Sequence, residues 1–305
     1  MAYIIPALIP IFSLILIGYF FKKIAFPAKE FWPMADKFTY YVLMPALLVY
    51  KLSFAPSISF DSIYLILTAI ITTCLALFLL VFLNYFIKFK GDIFTSIVQG
   101  GIRFNTYVYL ALVDAIYGDA GLLLAVIVIT FAIPLINLLC IIIFSIYIPK
   151  THLSFYNVGK SIISNPLIIA CIVGGFINLT AIPIPIALEK LLMILSNAAL
   201  PLGLLSVGVG LHFREILSSK LGLVLSTLVK LAIYPFIMLM VARYFELDTM
   251  STNVLLIFAT LPTAASSYIL ARQMGGNINL MSSIITVQTL MSILSIAVIL
   301  QIISI

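Results

Sequence analysis

Residues 93–118 read IFTSIVQGGIRFNTYVYLALVDAIYG, and residues 253–276 read NVLLIFATLPTAASSYILARQMGG. Each stretch is apolar and long enough to cross a bilayer, which takes about 20 residues. The pair Gly100-Gly101 is a poor helix former, and Pro262 removes a backbone hydrogen bond and clashes with the preceding turn. Broken backbone at this depth is tolerated only where it is buried in protein or lines an aqueous cavity. Both stretches therefore predict interrupted membrane helices.

The whole chain has the composition of a membrane protein. It has 305 residues, of which 64% are hydrophobic and 9% are charged, and its mean hydropathy is +1.28. Soluble proteins carry roughly 25% charged residues, and so few polar side chains do not cover a water-soluble globule. The composition excludes a cytoplasmic enzyme, a disordered chain and a nucleic-acid-binding protein. We therefore predict an all-α protein embedded in the lipid bilayer.

Apolar runs separated by short connections predict ten transmembrane helices, which we number as spans 1 to 10. The predicted spans cover residues 3–21, 35–52, 62–87, 93–117, 120–148, 160–179, 184–211, 218–245, 251–273 and 278–303. No connection is long enough to fold separately. The chain therefore leaves no room for an extramembrane domain.

Basic residues are unevenly distributed between the two sides of this pattern. Eleven follow odd-numbered spans: Lys22, Lys23, Lys29, Lys37, Lys88, Lys90, Lys150, Lys160, Arg214, Lys220 and Arg272. Three follow even-numbered spans: Lys51, Lys190 and Arg243. Because an excess of Lys and Arg marks the cytoplasmic side, we predict a multi-pass protein of the cytoplasmic (inner) membrane with both termini on the outer side.

The two halves of the chain match each other at an offset of 156 or 157 residues. The matched pairs are Pro10 with Pro166, Gly18 with Gly174, Phe20 with Phe176, Pro45 with Pro201, Asn105-Thr106 with Pro262-Thr263, and Gly118 with Gly275. Duplication of five spans inverts the second copy, and inverted repeats are a transporter architecture. We predict two inverted five-helix repeats, 1–150 and 151–305. Chance similarity in so apolar a chain is the alternative.

The interruptions of spans 4 and 9 both fall near the middle of the bilayer. At 1.5 Å per residue, Asn105 lies about 18 Å and Pro262 about 16 Å inside a core about 30 Å thick. Half-helix N-termini that meet at one point favour an anion. The candidate substrate-binding residues are Arg103, Asn105, Thr106, Pro262, Thr263, Ser266 and Ser267. The alternative is a pair of kinked helices that only pack together.

Two basic residues lie inside predicted spans. An intramembrane charge is costly and is a functional candidate by default. Arg103 either binds substrate or has a structural role as an ion pair or a cap on carbonyl groups. Lys230 is a possible intramembrane charge with a function. In the alternative, its side chain only contacts carbonyl groups that Pro235 leaves without a helical hydrogen bond.

Several motifs are absent from the sequence. No Asp or Glu stands in the middle of a predicted span, whereas a cation-coupled carrier would be expected to have intramembrane carboxylates. There is no GxxxxGK[ST] motif for ATP and no His or Cys spacing for a metal, so we predict no cofactor. No nucleophile–base–acid set appears either, so we do not predict an enzyme. The leading hypothesis is a secondary transporter of small organic anions. A sodium- or proton-coupled symporter or antiporter is the second, and a receptor or structural protein without transport is the third.

Five segments also carry a resemblance that covers essentially the whole chain. They are LIPIFSLILIGYFFKK (8–23), LMPALLVY (43–50), FNTYVYLALVDAIYGD (104–119), KLAIYP (230–235) and ATLPTAASSYILARQ (259–273). Their order and spacing resemble the auxin efflux carrier family, which joins plant PIN-type auxin carriers to bacterial malate and malonate carriers. The chain looks like a bacterial malate- or malonate-type member.

The resemblance implies an architecture and a mechanism. Spans 4 and 9 would cross as broken helices, and spans 3–5 and 8–10 would form a transport unit that moves like an elevator. Spans 1, 2, 6 and 7 would form the scaffold and the homodimer contact. Asn105 matches the crossover asparagine of the family's Pro-Asn-Thr run, and Pro262 matches its span 9 proline. The chain departs from the run at Phe104, and the preceding Arg103 favours a smaller or more highly charged anion.

Overall fold

A computed structural model describes residues 4–28, 30–54, 62–148, 164–180, 182–212 and 220–303. The described residues form helices and contain no strand, which confirms the all-α prediction. The helices are α1 (Ile4–Lys23), α2 (31–53), α3 (Ser62–Ile87), α4 (Gly91–Ile102), α5 (Thr106–Tyr147), α6 (Pro166–Thr180), α7 (Ile186–Val209), α8 (Lys220–Tyr244), α9 (Thr249–Thr260), α10 (Ser266–Met274) and α11 (Ile278–Ile303).

Several of these helices are suited to a bilayer. In the described part of the chain, five stretches are long and apolar enough to cross a membrane: Ile63–Ile87, Gly91–Tyr147, Ile186–Val209, Lys220–Tyr244 and Ile278–Gln301. Pro166–Thr180 and Thr249–Thr260 are shorter apolar helices. The count of ten crossings and the two inverted repeats stay predictions. The predicted connections at 53–61 and 149–159 lie wholly or mainly outside the described residues.

The long helix α5 consists of two segments. Gly118 interrupts it with φ 57° and ψ −149°, a conformation open to glycine but strained for other residues. The interruption falls on the Gly-Asp connection predicted between spans 4 and 5. The first segment of α5 therefore belongs to span 4, and the second corresponds to span 5.

Two helices contain a π-helical turn just before a proline. In α2 the turn is Thr39–Leu43 and precedes Pro45, and in α8 it is Val229–Ile233 and precedes Pro235. Proline has no backbone N–H to donate to the preceding turn, and a π turn is one way to absorb the lost bond. In α8 the Ser295 hydroxyl donates to the carbonyl of Leu231 at 2.8 Å.

Glycines allow α1 and α7 to pack backbone to backbone. A methyl group added at Gly18 would overlap the carbonyl of Leu205, and one added at Gly208 would overlap the carbonyl of Ile15. Helix α6 approaches α2 in the same way, because a methyl group at Gly174 would lie 2.9 Å from Cβ of Leu52. Helices α1, α2, α6 and α7 thus form one closely packed group.

We expect Gly18→Ala to destabilise this group of helices. The new methyl group would collide with rigid backbone, and such overpacking costs about 1–3 kcal/mol of unfolding free energy. Thermal unfolding of the purified protein in detergent would measure the loss. Gly175→Ala is the matched control, because nothing lies within 4 Å of its added methyl group. An unchanged melting temperature for Gly18→Ala would show that α1 and α7 are not packed this closely.

The predicted orientation can be tested by labelling introduced cysteines. Ala120, beside the Gly118 interruption, and Gln273, near the end of α10, are both exposed. The basic-residue count places Ala120 outside and Gln273 in the cytoplasm. Thr151, on another predicted cytoplasmic connection, lies outside the described residues. In intact cells an impermeant thiol reagent should therefore label Ala120→Cys but not Gln273→Cys.

The background for this test is a Cys74→Ala variant, because Cys74 is exposed on α3 whereas Cys140 and Cys171 are buried. Lysis of the cells should expose Gln273→Cys to the same reagent. The opposite labelling pattern would reverse the orientation of the whole protein.

Candidate functional site

The interruptions of spans 4 and 9 are present and lie against each other. Helix α4 continues through Gly100-Gly101 to Ile102, and the chain is extended at Arg103 before α5 begins at Thr106. Helix α9 ends at Thr260, and α10 begins at Ser266. The backbone N–H of Asn105 donates to the carbonyl of Pro262 at 2.9 Å, which joins the two interruptions directly.

The glycine pair has a different role from the one predicted. Gly100 and Gly101 are helical, and the break follows them. A methyl group on Gly100 would lie 2.5 Å from the Ser226 hydroxyl, and one on Gly101 would lie 2.6 Å from the Leu80 side chain. The pair therefore allows α4 to pack closely against α3 and α8.

Asn105 caps the N-terminus of α5. Its side-chain oxygen accepts hydrogen bonds from the backbone N–H groups of Tyr107 at 3.1 Å and Val108 at 3.2 Å. This is the geometry of an Asn N-cap, which satisfies two of the donors that a helix start leaves open. The side-chain amide nitrogen has no partner among the described residues, and Asn105 lines a cavity. One half of the amide thus holds the helix, and the other half is available to a ligand.

Thr263 holds the interruption of span 9 in place. Its backbone N–H donates to the side-chain oxygen of Gln288 at 3.0 Å, and its hydroxyl donates to the carbonyl of Gln99 at 3.1 Å. Gln288 also donates to the carbonyl of Gly100 at 2.9 Å. These bonds satisfy backbone groups that the two breaks leave without helical partners.

The predicted site residues therefore fall into two groups. Arg103, Asn105, Thr106 and Ser266 line the cavity. Pro262, Thr263 and Ser267 are buried and are not part of the cavity lining. Thr263 and Ser267 instead contact each other, with their hydroxyl oxygens 3.2 Å apart.

Arg103 bridges two helices at the edge of the cavity. One nitrogen of its guanidinium group donates to the side-chain oxygen of Asn137 at 3.1 Å, and the other donates to the hydroxyl of Ser266 at 3.1 Å. Both partners are neutral, and the ion pairs among the described residues are formed by Lys51 instead. The positive charge of Arg103 is therefore held in position without an anionic partner.

The cavity has a volume of about 880 Å³ and is large enough for a small organic molecule. It extends from the helix interruptions to the loop after α1 and the beginning of α2, where Lys22 and Lys37 line it. Part of the wall is aromatic and includes Phe104, whose ring centroid lies 4.5 Å from that of Phe258.

Other polar residues of the cavity were not among the predicted site residues. They come from α2, α5 and α7 and include Asp36, Tyr40, Tyr107, Asn137 and Ser206. Asp36 lies at the start of predicted span 2 (35–52), and its side chain is exposed to the cavity. The sequence signal at Asn137 is a polar residue in the middle of an apolar run. Gln99 and Gln288 carry the same signal but do not line the cavity.

Lys230 lies apart from the cavity and is fully buried. Its ammonium nitrogen has no hydrogen-bond partner among the described residues. It lies 4.2 Å from the ring centroid of Tyr234 and 5.6 Å from that of Phe258. The alternative prediction, in which Lys230 contacts carbonyl groups freed by Pro235, is therefore wrong.

The sequence as a whole matches a family model described as "Membrane transport protein", over residues 3–300. The chain belongs to this family. The match confirms the resemblance to the auxin efflux carrier family, and it identifies the chain as a membrane transport protein.

One relative supports the same identification. A protein of Rhizobium meliloti (strain 1021) named "Putative malonate transporter" is 23% identical over 309 residues. The match covers 96% of this chain and 93% of the relative. The similarity to this protein thus extends over the full set of helices that form the cavity and the crossing.

Proposed function

We propose that this membrane transport protein is a secondary carrier of small organic anions, namely mono- or dicarboxylates. The observation that carries the proposal is the position of Arg103, Asn105 and Ser266 around one cavity at the meeting point of two interrupted helices. A guanidinium group suits the two oxygens of a carboxylate, and an amide N–H and a hydroxyl can donate to the same group.

The starts of α5 and α10 add a favourable electrostatic field. The N-terminus of a helix carries a partial positive charge of roughly half an elementary charge, and both helices begin at residues that line the cavity, Thr106 and Ser266. No carboxylate forms an ion pair with Arg103 among the described residues. The site is therefore predisposed to an anion.

We propose an elevator-like alternating-access mechanism on two inverted repeats. The matched glycines support the repeat, because Gly18 packs α1 on α7 and Gly174 packs α6 on α2. Gly118 and Gly275, another matched pair, both have positive φ, 57° and 79°. Helices α1, α2, α6 and α7 would be the scaffold and the homodimer contact, and α3–α5 with α8–α11 would move.

The two ends of the molecule support an inward-facing conformation in the cytoplasmic membrane. The cavity reaches the end that carries Lys22 and Lys37, which the basic-residue count assigns to the cytoplasm. At the other end, Lys51 of α2 forms ion pairs with Asp119 and with Asp114. These pairs join the proposed scaffold to the proposed moving unit on the outer side.

A counterflow assay tests the function. Purified protein in liposomes loaded with unlabelled substrate should accumulate a radiolabelled carboxylate, tested from a panel of mono- and dicarboxylates. Protein-free liposomes and neutral analogues of the same size are the controls. Absence of counterflow for every carboxylate, with folded protein in the membrane, would overturn the proposal.

Asp36 favours a second candidate function, a proton-coupled carrier on the same fold. Its carboxyl group lines the same cavity as Arg103, so gain or loss of a proton there would change the charge that a substrate anion meets.

We expect uptake by the wild type to rise under an inward proton gradient. Asp36→Asn should lose that stimulation but keep counterflow, which needs no net proton movement. Equal stimulation in both proteins would exclude Asp36 as the coupling residue.

A further inference from the structure

Lys230 is a charge that the proposed binding site does not use. Its ammonium group is enclosed by protein, has no hydrogen-bond acceptor among the described residues and lies over the rings of Tyr234 and Phe258. Rings of this kind attract a cation through their electron-rich faces, but they do not neutralise it. A buried charge without a partner is costly, so a negative charge nearby would stabilise the protonated form of Lys230.

An aromatic layer separates Lys230 from the cavity. The Lys230 nitrogen lies 5.6 Å from the Phe258 centroid, and the Phe258 centroid lies 4.5 Å from that of Phe104, so the nitrogen is at most 10.1 Å from the Phe104 centroid. Phe104 lines the cavity, whereas Lys230 does not. An anion bound beside Phe104 would therefore be within electrostatic range of Lys230 without contacting it, because apolar surroundings screen charges weakly.

The charges inside the proposed moving unit are both positive. In the described parts of α3–α5 and α8–α11, the charged residues away from the ends of the spans are Arg103, in the interruption between α4 and α5, and Lys230, inside α8. The acidic residues of these segments lie near helix ends or turns: Asp92, Asp114, Asp119, Glu246 and Asp248. A bound dianion would therefore balance both residues in their protonated forms.

We infer that Lys230 is a positioning charge that makes this carrier prefer doubly charged over singly charged anions, although it does not touch the substrate. The inference rests on the proposed function. Arg103 binds one carboxylate directly, and Lys230 lowers the energy of the second negative charge through space. With a dianion bound, the moving unit is neutral inside the membrane, so its movement is insensitive to the membrane potential.

The size of the effect follows from the separation of the charges. An anion in contact with Phe104 lies about 4 Å beyond its ring, so its charge is at most about 14 Å from the Lys230 nitrogen. Two unit charges about 10–14 Å apart at an effective dielectric constant of about 20 interact strongly enough to change an affinity about tenfold. A dianion carries one more negative charge than a monoanion. Loss of Lys230 should therefore lower the ratio of dianion affinity to monoanion affinity about tenfold.

The test compares Lys230→Met with the wild type in liposomes. Malonate and propionate are the probes, because a methyl group in propionate replaces one carboxylate of malonate. Each is measured as a competitor of carboxylate counterflow. In Lys230→Met the ratio of malonate to propionate affinity should fall about tenfold, and malonate flux should become sensitive to an imposed potassium diffusion potential. Lys230→Arg, which keeps the charge, should keep the wild-type ratio.

Thermal stability separates this role from a structural one. Met has a similar length and removes a buried unpaired charge, so Lys230→Met should melt no lower than the wild type. A variant that melts lower but keeps the affinity ratio and voltage response would overturn the inference and leave the proposed function standing. If the folded wild type carries no carboxylate, both the proposed function and the inference are wrong.

Discussion

Asn105→Ala is expected to abolish uptake or to reduce it severely while the protein still inserts into the membrane. The substitution removes the amide nitrogen that is available to the cavity and the side-chain oxygen that caps α5. Without the cap, the N–H groups of Tyr107 and Val108 lose their acceptor, and the start of α5 loses its fixed position. Binding contact and helix geometry are therefore lost together.

Counterflow by equal amounts of purified wild-type and variant protein would measure this loss. The matched control is Asn165→Ala, because the side-chain oxygen of Asn165 accepts from the backbone N–H of Leu167 at 2.9 Å at the start of α6. Both variants lose an Asn helix cap, at a cost of about 0.5–2 kcal/mol in stability. Only the loss at Asn105 should stop transport.

Transport by Asn105→Ala at the wild-type apparent affinity would contradict the proposed site. The interruption at 103–105 would then be a packing feature of the crossing. If both Asn variants lost transport to the same degree, helix capping in general would be the cause, and no binding role would remain for the Asn105 amide.

The helix interruptions were predictable from the sequence because their causes are local. Pro262 cannot donate the backbone bond that a continuous helix needs, and Asn105 is a strong N-cap residue next to an apolar run. The Gly118 turn was also predictable, since glycine between two apolar runs is a common break. Each of these signals depends on one or two neighbouring residues.

The direction in which side chains point was not predictable in the same way. Thr263 and Ser267 were expected in the binding site, but the fold turns them inward, where Thr263 binds Gln99 and Gln288 from two other helices. Polar groups freed by a helix break are satisfied by whatever partners the tertiary structure brings near. The register between α9, α4 and α11 decides this, and one sequence does not reveal it.

The wall of the cavity could not be predicted for a related reason. Asp36 and Asn137 stand in separate spans about 100 residues apart, and nothing in the sequence pairs them. They line one cavity because α2 and α5 meet beside the crossing. The sequence predicted which backbone segments form the crossing, whereas the residues facing it across the cavity required the structure.

Arg103→Ala is expected to weaken substrate binding by roughly ten- to hundredfold, because a hydrogen bond to a charged group contributes about 1.5–3 kcal/mol. The guanidinium group already donates to Asn137 and Ser266, two neutral residues, and it needs no further protein partner to stay in place. Its charge therefore remains to attract an anion. The concentration dependence of counterflow would show the change as a higher half-saturating concentration.

Arg103→Lys separates charge from geometry in the same assay. Lysine keeps the positive charge but cannot form the two-pronged contact of a guanidinium group with a carboxylate. We therefore expect an intermediate affinity for Arg103→Lys, below the wild type and above Arg103→Ala. Asn137→Ala, which removes one anchor of Arg103 without changing the charge, should also weaken binding less than Arg103→Ala.

Thermal stability decides between the two roles that the sequence left open for Arg103. If the guanidinium group mainly ties α5 to α10, Arg103→Ala should lower the melting temperature, and the molecules that remain folded should bind substrate normally. If it binds substrate, the apo protein should keep its stability, and added substrate should raise the melting temperature of the wild type more than that of the variant. The unpaired charge beside a cavity of about 880 Å³ favours the second result.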